Sequence, residues 1–369
     1  MSPYGKTGTT HCSCKRNLIF VSMAQQVQPL TPTEAHYFDR HLKLAGFGRE
    51  AQQRLRAARV LVVGAGGLGC PVLQYLAMAG VGHIGVIDPD TVSYHNLHRQ
   101  VLFSPMDVGK NKAETAVQRL SAQQPLVQFT AYIDALSVDN ALALIGAHDL
   151  VVDGTDNFET RYLVNDACVI QQVPFVSGAI DRYTGQVSVF NYAGGPTYRC
   201  LYPEPPAVCG SCAIDGVLNV LPGIVGTLMA NEALKVLGGY GEVLAGKLLL
   251  IDVSGNGYQL FSFSAMEENK HIQALQPQDA FSQDEVAADK VVAPTDNALL
   301  IDVREPWEYA EGHDGAHINI PLYELPHRMD EWVVSGRPIV FFCTSGKRSR
   351  LAVELAKQHG VTAYAERLG

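Results

Sequence analysis

The chain has little positive charge and too few cysteines for a disulfide-rich protein. Its 28 lysine and arginine residues are outnumbered by 37 aspartate and glutamate residues, which gives a net charge of −9. A nucleic-acid-binding surface usually has the opposite balance, so the composition does not indicate one. The eight cysteines are scattered along 369 residues, without the density of a disulfide scaffold. No internal repeat is evident, and the apolar run from Leu18 to Val21 is too short for a signal peptide. These absences predict reduced thiols and a cytoplasmic location.

Residues 60–87 contain no charged side chain and are long enough to cross a membrane. Seven glycines and Pro71 interrupt this segment, and its apolar pattern changes period. Residues 60–63 form a short apolar run stopped by glycine, as in a buried parallel strand. One face of the helix expected next is formed by Val72, Leu73, Leu76 and Ala77. Residues 84–87 are apolar again, so the pattern predicts strand, loop, helix and strand, and no membrane span.

The predicted loop contains a Gly-x-Gly-x-x-Gly motif formed by Gly64, Gly66 and Gly69. Alone, this motif is most typical of proteins that bind NAD(P) or FAD. A loop of this kind presents backbone N–H groups to a phosphate at the start of the following helix. Gly66 and Gly67 would also allow the backbone to approach a nucleotide closely. All four glycines are therefore candidate nucleotide-binding residues.

Charged residues further along favour adenylyl transfer over hydride transfer. Asp88 ends the second predicted strand, where a carboxylate can bind ribose hydroxyls, whereas Asp90 is better interpreted as a turn residue. Arg99 and Lys112 could bind a triphosphate, and Asp156 follows a later apolar run, where it could hold magnesium. A dinucleotide site needs one acid for the ribose and little further charge. The set therefore suits ATP.

Taken together, these motifs resemble the MoeB/ThiF family, the bacterial relatives of ubiquitin-activating enzymes. The resemblance extends from about Tyr37 to Gly257. The matching segments are residues 37–42, 62–69, 96–100 and 155–157, with their order and spacing kept. The resemblance implies an α/β fold with a Rossmann-like, mostly parallel sheet and flanking helices.

The resemblance also implies roles for individual residues. It implies that Asp88 binds the ribose, that Arg99 and Lys112 contact the ATP phosphates, and that Asp156 binds Mg²⁺. For Asn96 and Asn157, a ligand contact and an ordinary turn role remain alternatives.

In the family, the arginine that matches Arg40 enters the site of the partner subunit, which implies a homodimer. The alternative is a surface helix residue that pairs with an acid such as Asp39.

The implied reaction joins AMP to a protein carboxylate. The C-terminal glycine of a small ubiquitin-like sulfur carrier, MoaD- or ThiS-like, attacks the α-phosphorus of MgATP and releases pyrophosphate. The product is an acyl-adenylate that can be converted to a thiocarboxylate. The molybdopterin-synthase type of adenylyltransferase is favoured, while thiamine synthesis, tRNA thiolation and protein modification stay open.

Family members usually close a structural zinc site with two Cys-x-x-Cys pairs. This chain has Thr197 and Cys200 at the first pair, and it has no cysteine between Cys212 and Cys343. A zinc site needs four ligands, so we predict no zinc site. Cys212 lies in a segment similar to the one that carries a reactive cysteine in members fused to a sulfurtransferase domain. The alternative is a buried structural thiol, and Cys209 could form a disulfide with it.

A second α/β pattern contains a strand that ends at Cys343, followed by a tight loop and a helix. Loop N–H groups, the helix N-terminus, Lys347 and Arg348 would all favour a thiolate. A tyrosine-phosphatase loop places its arginine six positions after the cysteine, whereas Arg348 is five positions after Cys343. The shorter loop resembles rhodanese, whose cysteine carries a persulfide sulfur. Thr344 departs from the arginine common at its position, so either a persulfide or thiosulfate could be the sulfur donor.

We therefore predict four segments. Residues 1–30 are a disordered or mis-assigned extension, 31–265 an ATP-binding adenylyltransferase domain, 266–283 a linker, and 284–369 a rhodanese-like domain. Two other functions stay open: an NAD-dependent oxidoreductase and a non-catalytic carrier-binding scaffold. Nucleotide preference would test the first, and pyrophosphate exchange would test the second.

Overall fold

The computed structural model describes residues 29–204, 216–275, 298–313, 315, 317–333, 337–344 and 346–368. The chain divides into two compact units. The larger contains residues 1–205 and 218–281, and the smaller contains residues 206–217 and 282–369. Most of the predicted extension, Cys209 and Cys212 lie outside the described residues.

The larger unit alternates helices and strands. Its described helices are α1 (Pro32–Tyr37), α2 (Asp39–Leu42), α3 (Gly48–Ala57), α4 (Gly69–Met78), α5 (Lys112–Gln123), α6 (Ala141–Gly146), α7 (Phe158–Gln171), α8 (Tyr198–Leu201) and α9 (Val220–Gly238). Its described strands are β1 (Arg59–Val63), β2 (His83–Ile87), β3 (Gln128–Tyr132), β4 (Leu150–Asp153), β5 (Phe175–Asp181), β6 (Thr184–Phe190), β7 (Lys247–Asp252) and β8 (Gly257–Ser262). Short 3-10 helices cover Tyr94–Asn96, Pro105–Asp107 and Glu267–Lys270.

Within the described residues these strands form an eight-stranded sheet in the order β3-β2-β1-β4-β5-β6-β7-β8. The strands from β3 to β5 run parallel, and β6, β7 and β8 continue the sheet in antiparallel pairs. The chain order reverses between β1 and β4. The loops that follow these two strands therefore border the crevice where open α/β sheets bind ligands.

The apolar runs of the sequence form the centre of this sheet. Strands β2 and β4 are buried along their whole length, because helices cover both faces of a parallel sheet. The α4 face predicted from the helical spacing is buried as expected.

Helix α9 is the one described helix long and apolar enough, by length and composition, to cross a membrane. It packs against α3, α4, β5 and β6, and its buried Glu232 pairs with Lys235, so it is a core helix of this unit. Close packing on α4 depends on Gly226. A Cβ there would lie 2.5 Å from Pro71 Cγ and 2.6 Å from the Leu68 carbonyl oxygen.

The smaller unit has its own parallel sheet and core. Its described strands are β9 (Leu299–Asp302), β10 (Ile318–Asn319), β11 (Ile339–Cys343) and β12 (Ala363–Arg367), in the order β10-β9-β11-β12. Its described helices are α10 (Pro306–Glu311), α11 (Met329–Trp332) and α12 (Lys347–Gln358). Trp332 and Phe341 are fully buried in its core. The predicted fold class, a large mostly parallel sheet with a second, smaller α/β domain, is confirmed.

Candidate functional site

The glycine-rich loop leaves β1 and enters α4 with almost no space for side chains at Gly64, Gly67 and Gly69. Gly64 has a φ of +89°, and a Cβ there would lie 3.2 Å from the carbonyl oxygen of Gly154. A Cβ on Gly69 would overlap the Gly64 carbonyl oxygen. Gly66 has more room, since the nearest atom to a Cβ there would be Gln100 Nε2 at 3.7 Å. A Cβ on Gly67 would lie 3.1 Å from Pro222 Cβ on α9.

Asp88 connects this loop to the end of β2. Its Oδ2 accepts a hydrogen bond from the Ala65 N–H at 2.7 Å, and its Oδ1 accepts one from the Asp90 N–H at 2.9 Å. Burial raises the pKa of the Asp88 carboxyl, and the nearby Lys112 acts in the opposite direction. Each carboxylate oxygen has a second lone pair, so the arrangement is compatible with ribose binding.

Lys112 begins α5 and is buried beside the same loop. Its Nζ lies 2.8 Å from Asp90 Oδ2. Asn111 caps the helix by accepting from the Glu114 N–H at 3.1 Å. The interpretation of Asp90 as a turn residue is therefore incomplete, because its carboxylate is the counterion of Lys112.

Arg99 is oriented by its neighbours in the segment between β2 and α5. It donates to Asn96 Oδ1 at 2.7 Å and to His98 Nε2 at 2.8 Å. In this structure Asn96 supports Arg99. Gln100 was not a candidate from the sequence, yet its amide is buried beside Gly66. Its Oε1 has no hydrogen-bond partner among the described residues.

The loop after β4 is held by two buried charged residues. Asp153 Oδ1 accepts from the N–H and the hydroxyl of Thr155, at 3.1 and 2.6 Å. Arg161 on α7 donates to the Thr155 carbonyl oxygen at 2.7 Å. Burial raises the pKa of Asp153, while Arg161 acts in the opposite direction. The sequence places Asp153 at the end of a predicted strand but gives it no role, and Arg161 was not a candidate.

The hydrogen bonds that Asp153 and Arg161 make with Thr155 fix the loop, and the next two residues lie at the surface. Asp156 and Asn157 are both exposed. Asn157 caps α7, because its Oδ1 accepts from the Thr160 N–H at 2.8 Å. The contact between Gly64 and Gly154 brings this loop against the glycine-rich loop. The candidate residues after β1, β2 and β4 thus lie along one edge of the sheet.

Arg40 lies apart from this group, on the short helix α2, and is exposed. Asp39 pairs with Lys43 at 2.7 Å. The alternative in which Asp39 binds Arg40 is therefore not observed. Among the described residues, Arg40 has no ion pair or side-chain hydrogen bond.

At the position expected for zinc, two turns are joined by hydrogen bonds. Cys200 Sγ accepts from the Met266 N–H at 3.2 Å and from the Thr197 N–H at 3.4 Å. Asn269 Nδ2 donates to the Arg199 carbonyl oxygen at 3.1 Å. Within the described parts of the chain, no group of three or more His, Cys, Asp or Glu residues is placed to hold a metal ion. The absence of zinc remains a prediction.

In the smaller unit, Cys343 is buried at the end of β11, under a loop that points N–H groups at its sulfur. The N–H groups of Gly346 and Ser349 lie 3.1 and 3.3 Å from Sγ, and the Ser349 hydroxyl lies 3.5 Å away. Burial by itself would raise the pKa of the thiol, but these hydrogen bonds outweigh it and lower the pKa below its usual value. The surroundings therefore favour a thiolate.

The backbone N–H of Arg348 also helps to lower the pKa of this thiol, but the Arg348 side chain binds elsewhere. Its guanidinium makes two hydrogen bonds to the Glu308 carboxylate, one of them Nη2 to Oε1 at 2.8 Å. Glu308, on α10, was not a candidate from the sequence.

Comparisons with known proteins identify relatives of both parts of the chain. A sequence model of the ThiF family matches residues 38–273, and a model of the rhodanese-like domain matches residues 285–366. A sulfur carrier protein adenylyltransferase of Thermus thermophilus is 53% identical over 229 residues, which cover 60% of this chain and 84% of that protein. The probable adenylyltransferase/sulfurtransferase MoeZ of Mycobacterium tuberculosis is 38% identical over 369 residues, with 92% of both chains covered. The adenylyltransferase and sulfurtransferase MOCS3 of Aedes aegypti is 34% identical, covering 90% of this chain and 84% of that protein.

Solved structures agree on the fold. A crystal structure of Escherichia coli MccB with AMPCPP and MccA has a TM-score of 0.56 at 24% identity, covering 63% of this chain and 72% of that one. PaaA has a TM-score of 0.55 at 19% identity, covering 68% of this chain and 78% of that one. The resemblance seen in the motifs is confirmed. The chain belongs to the ThiF family and carries a rhodanese-like domain after its ThiF domain.

Proposed function

We propose that this protein is an ATP-dependent enzyme that adenylates the C-terminal glycine of a small ubiquitin-like sulfur carrier. Its rhodanese-like domain would supply sulfur for a thiocarboxylate. The observation that carries the proposal is the edge formed by the loops after β1, β2 and β4, where Lys112, Asp88 and Asp156 accompany the glycine-rich loop. Relatives named adenylyltransferase/sulfurtransferase align with nearly the whole chain, which supports both activities in one protein.

In the adenylation step, a carboxylate oxygen of the carrier attacks the α-phosphorus, and pyrophosphate leaves with the electron pair of the broken P–O bond. Lys112 and Arg99 do not need to act as nucleophiles in this step. Lys112 and Arg99 would neutralise the phosphates, and Asp88 would position the ribose. Catalysis would then depend on positioning and on charge neutralisation.

Mg²⁺ fits the exposed carboxylate of Asp156. Mg²⁺ is usually bound by one or two carboxylates together with substrate phosphates, and Asp156 supplies such an oxygen at the edge of the crevice. When bound, the ion would neutralise charge on the phosphates. The clamp of Asp153 and Arg161 on Thr155 keeps the loop that bears Asp156 in place.

In the sulfur step, the Cys343 thiolate attacks the outer sulfur of thiosulfate. Sulfite leaves with the electron pair, and the cysteine becomes a persulfide. The terminal sulfur of that persulfide can then attack the acyl-adenylate carbon and displace AMP, which gives an acyl disulfide between the carrier and Cys343. A thiol that attacks the Cys343 sulfur would release the thiocarboxylate and leave a mixed disulfide, which a second thiol would reduce. A persulfide donor would load the same cysteine, with a thiolate as the leaving group. Both routes need a reduced thiol, which supports a cytoplasmic location.

We also propose a homodimer in which Arg40 acts on the nucleotide of the partner subunit. The Arg40 guanidinium is exposed and has no ion pair among the described residues, which supports this role. An arginine supplied in this way can contribute on the order of 10³-fold to phosphoryl chemistry. In mixtures of Arg40→Ala and Lys112→Ala subunits, recovery of exchange would support the role, and no recovery would count against it.

ATP–pyrophosphate exchange against a panel of purified carrier proteins tests the main proposal. Lys112→Ala and Asp156→Ala should abolish carrier-dependent exchange, while the circular dichroism spectrum is unchanged. Asp134→Ala removes an exposed acid that follows β3, and it should exchange like the wild type. Oxidoreduction with NAD, or ATP binding without exchange for any carrier, would favour the alternative functions.

A further inference from the structure

Lys112 and Asp90 form an ion pair in which one partner is buried and the other is exposed. The side chain of Lys112 is 6% exposed and that of Asp90 is 68% exposed, with 2.8 Å between Nζ and Oδ2. A buried ammonium is stable in its charged form only with a nearby counterion. Asp90 provides it from the solvent side of the loop.

The backbone around the pair is fixed by four hydrogen bonds. The Asp90 N–H donates to Asp88 Oδ1 at 2.9 Å, and the Lys112 N–H donates to the Asp90 carbonyl oxygen at 2.9 Å. Asn111 Nδ2 donates to the carbonyl oxygens of Asp88 and Asp90, at 3.1 and 3.3 Å. The segment after β2 and the start of α5 are therefore joined independently of the ion pair.

We propose that Asp90 is a positioning residue that holds the Lys112 ammonium for the polyphosphate chain of ATP. An ammonium has three N–H donors, and Asp90 uses one of them, which leaves two for phosphate oxygens. This inference rests on the proposed adenylyl transfer, and it assigns to the second acid after β2 a role separate from that of Asp88.

Asp88 explains why such a residue is needed. Its buried carboxylate accepts from the Asp90 N–H at 2.9 Å and so lies close to the ion pair, and Lys112 opposes the effect of burial on its pKa. Without Asp90, the ammonium would turn towards Asp88 and occupy the carboxylate proposed to bind the ribose. Asp90 keeps the two binding functions on separate side chains.

Titration calorimetry with full-length protein and ATP, ADP or AMP tests the proposal. We expect Asp90→Ala to weaken ATP binding about tenfold or more and to leave AMP binding within about twofold, because the Lys112 contact involves phosphates beyond the first. Asp90→Asn keeps an acceptor but loses the charge, so its ATP affinity should be intermediate. Asp134→Ala is the matched control, since it removes an exposed acid at the same edge of the sheet.

Three results would overturn the role of Asp90. An equal loss of AMP and ATP binding would show that Asp90 only maintains the fold of the loop. Tighter ATP binding by Asp90→Ala would show that Asp90 competes with phosphate for Lys112. A loss that appears with Mg²⁺ and disappears with a chelator would show that Asp90 acts on the metal. Wild-type protein that binds none of the three nucleotides would instead overturn the proposed function, and the role of Asp90 with it.

Discussion

Cys343 lies at the end of a buried strand, yet hydrogen bonds lower the pKa of its thiol. The contributing groups come from the loop and the first turn of α12, where the Ser349 hydroxyl is the one that mutation can remove without altering the backbone. The thiolate is the species that attacks sulfur. The pH dependence of sulfur transfer should therefore report on Ser349.

We expect Ser349→Ala to raise the pKa of Cys343. In the wild type, the acid limb of kcat/KM for thiosulfate should lie below about pH 8.5, the ordinary range of a cysteine thiol. In the variant the acid limb should move to higher pH, while kcat/KM at alkaline pH should change less. Thiosulfate:cyanide sulfurtransfer measured from pH 5 to 10 gives both profiles.

Thr344→Ala is the control, because the Thr344 side chain is exposed. Its profile should match that of the wild type. Superimposable profiles for Ser349→Ala and wild type would show that the hydroxyl has no influence on the thiol.

Among individual residues, the sequence singled out candidates that belong to short motifs. It did not single out residues whose contacts lie far away along the chain. Asp88, Arg99 and Lys112 became candidates because short motifs contain them. The roles of Asp90 and Glu308 depend on contacts that span 22 and 40 positions. Sequence spacing does not show which of many acids a cation will reach after folding.

Two of the glycines in helix α9 lie in contrasting surroundings. Gly226 touches α4, whereas a Cβ at Gly223 would have no atom within 4 Å. Glycine in a helix interior is less favourable than alanine by about 0.5–1 kcal/mol when nothing else changes. The same substitution should therefore have opposite effects at the two positions.

We expect Gly226→Ala to lower the free energy of unfolding by about 1–3 kcal/mol, because the methyl group would be forced against Pro71 and the Leu68 carbonyl oxygen. Gly223→Ala should raise it by about 0.5–1 kcal/mol. Urea titrations of both variants provide the measurement. A Gly226→Ala protein as stable as Gly223→Ala would mean that α4 and α9 move apart at little cost.

The turn at residues 197–200 and the one at 266–269 offer a second comparison between elements. A structural zinc needs four tetrahedral ligands, whereas Thr197, Met266 and Asn269 supply a hydroxyl, a thioether and an amide beside Cys200. We expect protein purified without chelator to contain no stoichiometric zinc by elemental analysis. Zinc at parity with the chain, lost together with activity in Cys200→Ala, would contradict this.

The same two turns provide a positive control. A variant with three added cysteines should bind zinc, because the two turns already face each other. The substitutions are Thr197→Cys, Met266→Cys and Asn269→Cys.

Strand and helix positions were predictable wherever the apolar period was clear. Strands β1 and β2 lie within one residue of the predicted runs, and β11 ends at Cys343 as predicted. The antiparallel β6, β7 and β8 were not predicted. β8 is largely exposed and lacks a continuous apolar run, whereas β7 has four apolar residues in a row at 248–251 but is only partly buried. Half-covered strands leave a weaker pattern than buried ones.

Stability of the molecule should depend on pH through two neighbouring histidines. His83 and His148 have ring centroids 5.6 Å apart. Their Nδ1 and Nε2 atoms, respectively, are buried without a hydrogen-bond partner in the described structure. Burial lowers the pKa of both side chains, and nearby Arg59 adds to this. The unfolded chain, with a histidine pKa of about 6.5, therefore binds more protons than the folded protein just below that pH.

We expect the free energy of unfolding to fall as the pH decreases from about 6.5, because protonation favours the unfolded state. His83→Gln with His148→Gln should reduce this pH dependence. His36→Gln, at an exposed position, should leave it unchanged. Urea titrations between pH 5 and 7.5 give the slope, and equal slopes for the double variant and the wild type would rule out the pair as its source.

The close approach of Gly64 and Gly154 has a further consequence for the geometry of the crevice. The glycine-rich loop and the loop that bears Asp156 are joined through the backbone: the Gly154 N–H donates to the Val63 carbonyl oxygen at 2.9 Å, and a Cβ on Gly64 would lie 3.2 Å from the Gly154 carbonyl oxygen. A side chain in that gap would bring several rotamers, and each would give a slightly different separation. Two glycines in contact have no such alternatives. The separation should therefore vary little with temperature, and substitutions in the surrounding core should change the stability of this domain before they change the distance across its crevice.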